Sequence, residues 1–230
     1  PEAVHQLRVA TRRSLAALAA FRKFVPDKQR AWFEKWLRRI RRAAGDTRDL
    51  DVLTGRLRRK PAADELRGRS PLAARARERL VTMLAKRRDV SREPIREVRE
   101  RLVAADWPWR VERLLEAVAA STTKTSFAAY GRRRMRPLLK RFFSWAERTS
   151  RDAADIHRLR IEGKKLRYAI EIFAVVFPPS QRAACAAALE ELQKTLGEFT
   201  DHAAASDRLR RLAKEQAVGP DRPALVALRK

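Results

Sequence analysis

Histidines and arginines recur in this sequence in an order that predicts anion binding. The stretch VHQLRVATRR, beginning at Val4, returns as IHRLRIEGKK, beginning at Ile156. His5 and His157 are identical, at an offset of 157 − 5 = 152, and each is followed three residues later by an arginine. Imidazole and guanidinium groups donate hydrogen bonds to phosphate oxygens, and guanidinium can donate two in parallel. The repeat therefore predicts a site whose chemistry is the binding of anions.

Helical periodicity explains why each copy combines apolar and basic positions. At about 100° per residue, Ile156, Leu159, Leu166 and Ile170 lie on one face of a helix. A second set lies one position further round, at the edge of the apolar face, where a half-desolvated cation holds an anion more strongly than on an open surface. In the two copies this set comprises His5, Arg8 and Arg12, then His157, Arg160, Lys164, Arg167 and Tyr168.

The same offset continues without a gap well beyond the motif. It pairs Gly45 with Gly197. It also pairs an apolar residue with an apolar residue at many positions between the motif and these glycines. A match of this length predicts a duplicated three-helix unit, with two similar halves related by a pseudo-two-fold axis. We expect one domain over residues 1–230, with an N-terminal half at 1–120 and a C-terminal half at 126–230.

The apolar pattern predicts helices throughout, since no stretch shows the alternation of a strand. Pro26 is expected to stop the first motif helix, Gly45 to cap the second helix, and Ser126 to cap a long basic helix at its N-terminus. Trp107-Pro108-Trp109 is typical of a turn. The predicted helices cover about residues 2–24, 28–44, 46–59, 72–90, 95–102, 111–118, 127–147, 152–177, 181–196 and 198–217, before a short tail helix. The predicted fold class is all-α.

The charge of the chain predicts a polyanionic partner. Lys and Arg total 54 against 28 Asp and Glu in 230 residues, a formal net charge of +26, while 45% of residues are hydrophobic. That hydrophobic content is enough for a sizeable core, so the chain is not a disordered polycation. The alternative explanation of the charge is an arginine-rich composition with solvated helix faces. The repeated basic positions favour a ligand.

The cysteine content and the hydropathy indicate a cytoplasmic protein. Cys185 is the only cysteine and lies in a run of alanines, so we expect a small core residue and a reducing compartment. No stretch approaches the roughly 20 apolar residues of a membrane span, and no signal-peptide pattern occurs. We therefore expect no membrane partner.

Three motifs in order resemble those of the CHAD family, the conserved histidine α-helical domain. They are the two histidine motifs, at 5–13 and 157–168, and AGDTRDLDVL, beginning at Ala44. The resemblance implies two antiparallel four-helix-like halves around a basic cavity or pore. It also implies the binding of inorganic polyphosphate, frequently on cytoplasmic polyphosphate granules. By position it adds Arg13, Arg48 and Lys165 to the binding residues. We add Arg42 and Lys194, a pair that stays basic in both copies.

Each group of candidate residues has a structural alternative. The arginines and lysines could pair with Asp or Glu of neighbouring helices. The histidines could donate an N–H to phosphate, bond to a loop carbonyl, or bind a metal, although neither has a His or Cys at helical spacing. Arg48 has Thr200 as its counterpart, so the duplication does not repeat it. The repeated Asp49 and Asp201 are expected to cap a helix or pair with Arg rather than hold Mg²⁺.

Two other functions compete with polyphosphate binding. A nucleic-acid-binding protein would use the basic helix that begins near residue 127, with Arg132, Arg133, Arg134, Arg136, Lys140 and Arg141. Aromatic residues such as Trp32 and Phe142 could stack on bases, but their spacing favours core packing. An enzyme acting on phosphoanhydrides would need a glycine-rich phosphate loop or a carboxylate cluster for Mg²⁺, and the sequence contains neither. We therefore expect a non-enzymatic protein without a cofactor.

Overall fold

A computed structural model describes residues 1–58, 71–148 and 152–215, leaving out the side chains of 71–76, 201–204 and 212–215. All regular secondary structure in these ranges is helical, which confirms the all-α prediction. The helices are α1 (Glu2–Ala20), α2 (Asp27–Ala43), α3 (Gly45–Arg58), α4 (Pro71–Val90), α5 (Glu93–Ala104), α6 (Trp107–Ala119), α7 (Phe127–Ala146), α8 (Ala153–Ile172) and α9 (Pro179–Glu215). The predicted tail helix lies outside the described residues.

Side-chain caps set the beginnings of the two helices that precede and contain the second motif. Ser126 Oγ accepts a hydrogen bond from the Ala129 N–H at 3.3 Å, which confirms the predicted start of α7. Asp152 Oδ1 accepts from the Ala154 N–H, also at 3.3 Å, at the start of α8. These bonds satisfy N–H groups that have no partner in the first turn of a helix.

Several predicted boundaries are wrong. Helix α1 ends at Ala20, four residues before the predicted end. Gly45 begins α3 instead of capping α2, and α9 passes through Gly197 without a break where two helices were expected. Trp107 and Pro108 lie in the first turn of α6, because proline is well tolerated at a position whose N–H needs no helical partner. Cys185 is exposed, not buried.

The first of two compact units takes in Pro1–Val9, Arg38–Ala105 and the described part of His202–Lys230. Its core contains Leu50 and Leu53 of α3, Leu80 and Leu84 of α4, and Leu209 of α9. Asp51, whose side chain is 3% exposed, forms an ion pair with Arg88 of α4. Apolar contacts and a buried ion pair therefore hold α3 against α4.

The second unit takes in Ala10–Leu37 and Asp106–Asp201, and its core lies between α7 and α8. Phe173 is fully buried there, beside Met135, Phe142, Leu166 and Ile170. The apolar face predicted for the second motif helix is thus confirmed as a core face.

Two contacts in the second unit involve the ends of the motif helices. A Cβ atom at Gly131 of α7 would lie 2.8 Å from Val176 Cγ2, so glycine permits this close approach. Phe21 and Phe173, which the offset makes equivalent, contact each other with ring centroids 5.8 Å apart. The symmetry of the complete halves, and their bounds at 1–120 and 126–230, stay predictions.

Candidate functional site

In the first unit, Arg8 of the first motif lies at the junction of α2 and α3. Its Nη1 donates to the carbonyl oxygen of Arg41 at 3.3 Å, near the end of α2, where the helix dipole favours a cation. The same Nη1 lies 3.6 Å from the position that a Cβ atom would take at Gly45. The guanidinium therefore packs directly against helical backbone, because glycine carries no side chain.

In the second unit, Arg160 makes the equivalent contact with α9. Its Nη2 lies 3.5 Å, and its Nε 3.8 Å, from the Cβ position at Gly197. The offset of 152 equates Arg160 with Arg8 and Gly197 with Gly45. Both copies of the duplication thus place the motif arginine against a glycine, although α2 and α3 are separate helices and α9 is continuous.

Acidic side chains contact other basic residues of α8. Glu162 is 6% exposed, and its Oε1 accepts from Lys165 Nζ at 2.6 Å. Its Oε2 lies 4.0 Å from Arg141 Nε of α7. Lys165, predicted to bind an anion, is therefore already paired with a buried carboxylate.

Glu171, near the end of α8, lies between two more of the predicted binding residues. Its Oε2 is 3.1 Å from Arg13 Nη2, and its Oε1 is 3.7 Å from Arg167 Nε. The guanidinium of Arg167 also lies over the ring of Tyr168, at 5.3 Å from the centroid, and Tyr168 itself is 5% exposed. For Arg13 and Arg167 the structure thus shows the ion pairing that the sequence left open as an alternative.

The remaining candidates lie on five helices and differ in exposure. His157 of α8, Arg42 in the last turn of α2, and Lys194 of α9 are exposed. The half-buried candidates are His5 and Arg12 of α1, Arg48 of α3, and Lys164 of α8. The role of each in binding stays a prediction.

Comparisons with known proteins identify the family. The model of the CHAD domain family matches residues 1–210. The chain belongs to the CHAD family. It is also similar to a solved structure, the crystal structure of the CHAD domain from the plant Ricinus communis, with a TM-score of 0.72 and 27% identity over 99% of this chain and 76% of that one. Comparison with curated proteins gave no match. The predicted resemblance is confirmed, and with it the all-α fold of a CHAD domain.

Asp49 of this CHAD chain pairs with an arginine, as expected. Arg208 Nη1 lies 3.8 Å from Asp49 Oδ2 and 3.5 Å from Asp46 Oδ1, which joins α3 to α9 in the first unit. The side chain of the equivalent Asp201 lies outside the described residues.

Among the described residues, no three His, Cys, Asp or Glu side chains come close enough to hold a metal ion. In the same part of the chain, no helix is long and apolar enough to cross a membrane.

Sequence reasoning missed the acidic partners of the CHAD motif residues. The offset equates Glu162 with Ala10 and Glu171 with Ala19, so both acids occur in the second copy alone. A comparison of the positions that differ between the copies would have revealed them. The pairing of Arg13 with Glu171 could not have been found in this way, because it joins two helices.

Proposed function

We propose that this CHAD domain binds inorganic polyphosphate through the basic residues of its two motif helices and catalyses no reaction. Polyphosphate is a row of tetrahedral anions without bases, so a receptor needs many donors and little stacking surface. Family membership and the net charge of +26 support this ligand. Affinity would come from counterion release and from charge-assisted hydrogen bonds of roughly 1.5–3 kcal/mol each.

The observation that carries the proposal is the contact of Arg8 with Gly45 and its counterpart, Arg160 with Gly197. The duplication keeps both members of this contact, whereas Glu162 and Glu171, which pair with Lys165, Arg13 and Arg167, have no counterparts. Pairing with these acids therefore does not explain why the arginines recur. A ligand with repeating anionic groups does explain it, because such a ligand offers the same group to each copy.

Within the proposal, the motif residues differ in role. Arg8 and Arg160 are the principal donors, and Arg12, Arg42, Arg48, Lys164 and Lys194 add positive charge along the same helices. His5 and His157 each donate an N–H to phosphate, with a structural hydrogen bond as the alternative. Arg13, Lys165 and Arg167 each contact a carboxylate, which a bound phosphate would have to replace. That the two motif helices line one basic cavity or pore stays a prediction of the resemblance.

A binding comparison at moderate salt tests the proposal. The wild-type chain should bind long-chain polyphosphate more tightly than orthophosphate or duplex DNA. Arg8→Glu combined with Arg160→Glu should abolish that binding and leave the far-ultraviolet circular dichroism unchanged. The matched control is Arg99→Glu with Arg132→Glu, two exposed arginines outside the motifs, which changes the net charge equally. Absence of a preference for long polyphosphate, or equal losses in both variants, would contradict the proposal.

Nucleic-acid binding is the second candidate, because most of the basic run on α7 is exposed. Arg132, Arg133, Arg136, Lys140 and Arg141 are open to solvent, while Arg134 donates to the Ala19 carbonyl oxygen at 2.6 Å. A nucleic acid lying on this helix would give band shifts that depend on its length. Saturation with polyphosphate that fails to displace DNA would favour this second function.

Two further parts of the proposal have their own tests. A non-enzymatic protein should release no phosphate from polyphosphate with Mg²⁺ or Mn²⁺, and steady release by pure protein would show that it is an enzyme.

We also propose a cytoplasmic location on polyphosphate granules. A fluorescent fusion should then colocalise with stained granules and disperse when the Arg8 and Arg160 variant replaces the wild type.

A further inference from the structure

A cavity in the second unit gathers positive charge from residues outside the CHAD motifs. It has a volume of about 530 Å³ and lies among the end of α1, the turn that follows, the start of α2 and the first turns of α7. Five cationic side chains, one carboxylate and one phenol line it. They are Arg22, Lys23, Asp27, Arg30, Tyr130, Arg133 and Arg134. This volume lies within the range of small-molecule sites, about 300–1,000 Å³.

Two hydrogen bonds fix one wall of the cavity. The Tyr130 hydroxyl donates to the Ala20 carbonyl oxygen, and Arg134 Nη2 donates to that of Ala19, each at 2.6 Å. Both carbonyls belong to the last turn of α1. The carbonyl oxygens of a last turn have no N–H partner within their own helix. Tyr130 and Arg134 thus hold α7 against the end of α1, and the Tyr130 hydroxyl is already used as a donor.

Acids compensate one of the remaining cations. Arg30 Nη2 donates to Asp27 Oδ1 at 2.6 Å, and Nη1 donates to Glu34 Oε1 at 3.2 Å. These two hydrogen bonds raise the pKa of the Arg30 guanidinium above its ordinary value. The side chain of Asp27 is 88% exposed, so this carboxylate is solvated and would compete with an incoming anion for Arg30.

Three exposed cations, Arg22, Lys23 and Arg133, remain around the opening. The guanidinium of Arg133 lies 5.7 Å from the centroid of the Tyr130 ring, which places its charge on the cavity side of α7. Like charges gathered at one opening repel one another, and a multiply charged anion relieves that repulsion. Arginine donors favour phosphate oxygens in particular, because the guanidinium can donate two parallel hydrogen bonds.

We propose that this cavity is a separate binding site for a compact, multiply charged phosphate group, of which inorganic diphosphate is the simplest example. The ligand is either a free small molecule or the end of a longer phosphate chain. The site uses none of the motif residues, so it does not depend on the function proposed for them. All its lining residues belong to the second unit.

Calorimetric titration of the full chain with diphosphate tests the site. Lys23→Ala combined with Arg133→Ala should weaken diphosphate binding by about tenfold or more. Arg132→Ala with Arg136→Ala is the matched control, since it removes two exposed cations from α7 that do not line the cavity, and it should retain nearly full affinity. Asp27→Asn should tighten binding by about two- to fivefold, because it removes the competing carboxylate.

The outcomes separate this site from the motif helices. The Arg8→Glu, Arg160→Glu variant should bind diphosphate as the wild type does, even if its polyphosphate binding is lost. Failure of the wild type to bind diphosphate, equal losses in the cavity and control variants, or loss in the motif variant would each overturn the proposal. In the wild type, displacement of diphosphate by long polyphosphate would support chain ends as the ligand, and lack of displacement would support free small phosphates.

Discussion

Arg160 packs its guanidinium against Gly197, with Nη2 3.5 Å from the point where a side-chain carbon would begin. That distance is an ordinary van der Waals contact, so one methyl group fits without moving the arginine. A branched side chain would extend past this point into the space that the guanidinium occupies. Gly197 therefore sets the position of Arg160, and a graded series at this glycine can move the arginine without removing it.

Substitution of Gly197 should separate folding from binding. Gly197→Ala should keep polyphosphate affinity, whereas Gly197→Leu should displace the Arg160 guanidinium and weaken binding by about tenfold, the equivalent of one charge-assisted hydrogen bond. Fluorescence anisotropy with labelled polyphosphate measures the affinity, and circular dichroism verifies the fold. The control is Gly55→Leu, because a Cβ there meets nothing within 4 Å. Undiminished binding by a folded Gly197→Leu protein would show that the position of Arg160 is unimportant.

Two glycines within helices should respond to alanine in opposite directions. At Gly131 the new Cβ would lie 2.8 Å from Val176 Cγ2 and 3.0 Å from Phe173 Cδ1, and Phe173 is fully buried. Overpacking should therefore lower the free energy of unfolding by about 1–3 kcal/mol. At Gly55, where space is open, alanine should raise it by about 0.5–1 kcal/mol through better helix propensity. Urea denaturation measures both changes, and a stabilised Gly131→Ala protein would contradict the packing.

The buried pair of Asp51 and Arg88 should dominate the coupling of α3 to α4. Arg88→Met leaves a carboxylate that is 3% exposed without its cation. We expect the free energy of unfolding to fall by about 3–5 kcal/mol, because an uncompensated charge stays buried. The double variant Asp51→Leu, Arg88→Met should recover most of this loss. Chemical denaturation of the single and double variants tests the expectation, which fails if the losses are simply additive.

Local signals in the sequence were sufficient for most of the fold. Ser126 caps α7 as predicted, because an N-cap depends on a side chain and an N–H only three residues away. The prediction that one helix ends and another begins at Gly197 is wrong. It was reasonable because glycine is a common helix terminator and the counterpart of Gly197, Gly45, does lie at a helix boundary. Helix α9 nevertheless continues through Gly197, which lies inside the helix against the Arg160 guanidinium.

The site was less predictable, because its contacts join distant parts of the chain. The offset placed Arg8 and Arg160 at equivalent positions, and the structure shows both against glycines. The contact between Arg13 and Glu171 depends on how α1 and α8 pack, which no spacing encodes. Lys23 and Arg133 line one cavity for the same reason, although in sequence each is only a member of a basic run.

Glu171 offers a test of whether the paired motif arginines take part in binding. Its carboxylate contacts Arg13 at 3.1 Å and Arg167 at 3.7 Å. If these arginines can reach polyphosphate, Glu171→Gln should release them and tighten binding by about two- to fivefold. The pair is partly exposed, so the free energy of unfolding should change by no more than about 1 kcal/mol.

The matched control for this variant is Glu190→Gln, an exposed glutamate of α9 whose neutralisation raises the net charge by the same amount. Because general attraction to a polyanion depends on net charge, it should increase equally in the two variants. Anisotropy titrations at two salt concentrations distinguish the effects, since a local gain persists at the higher salt. Equal gains in both variants would restrict Arg13 and Arg167 to a structural role and leave binding to Arg8, Arg160 and the other motif residues.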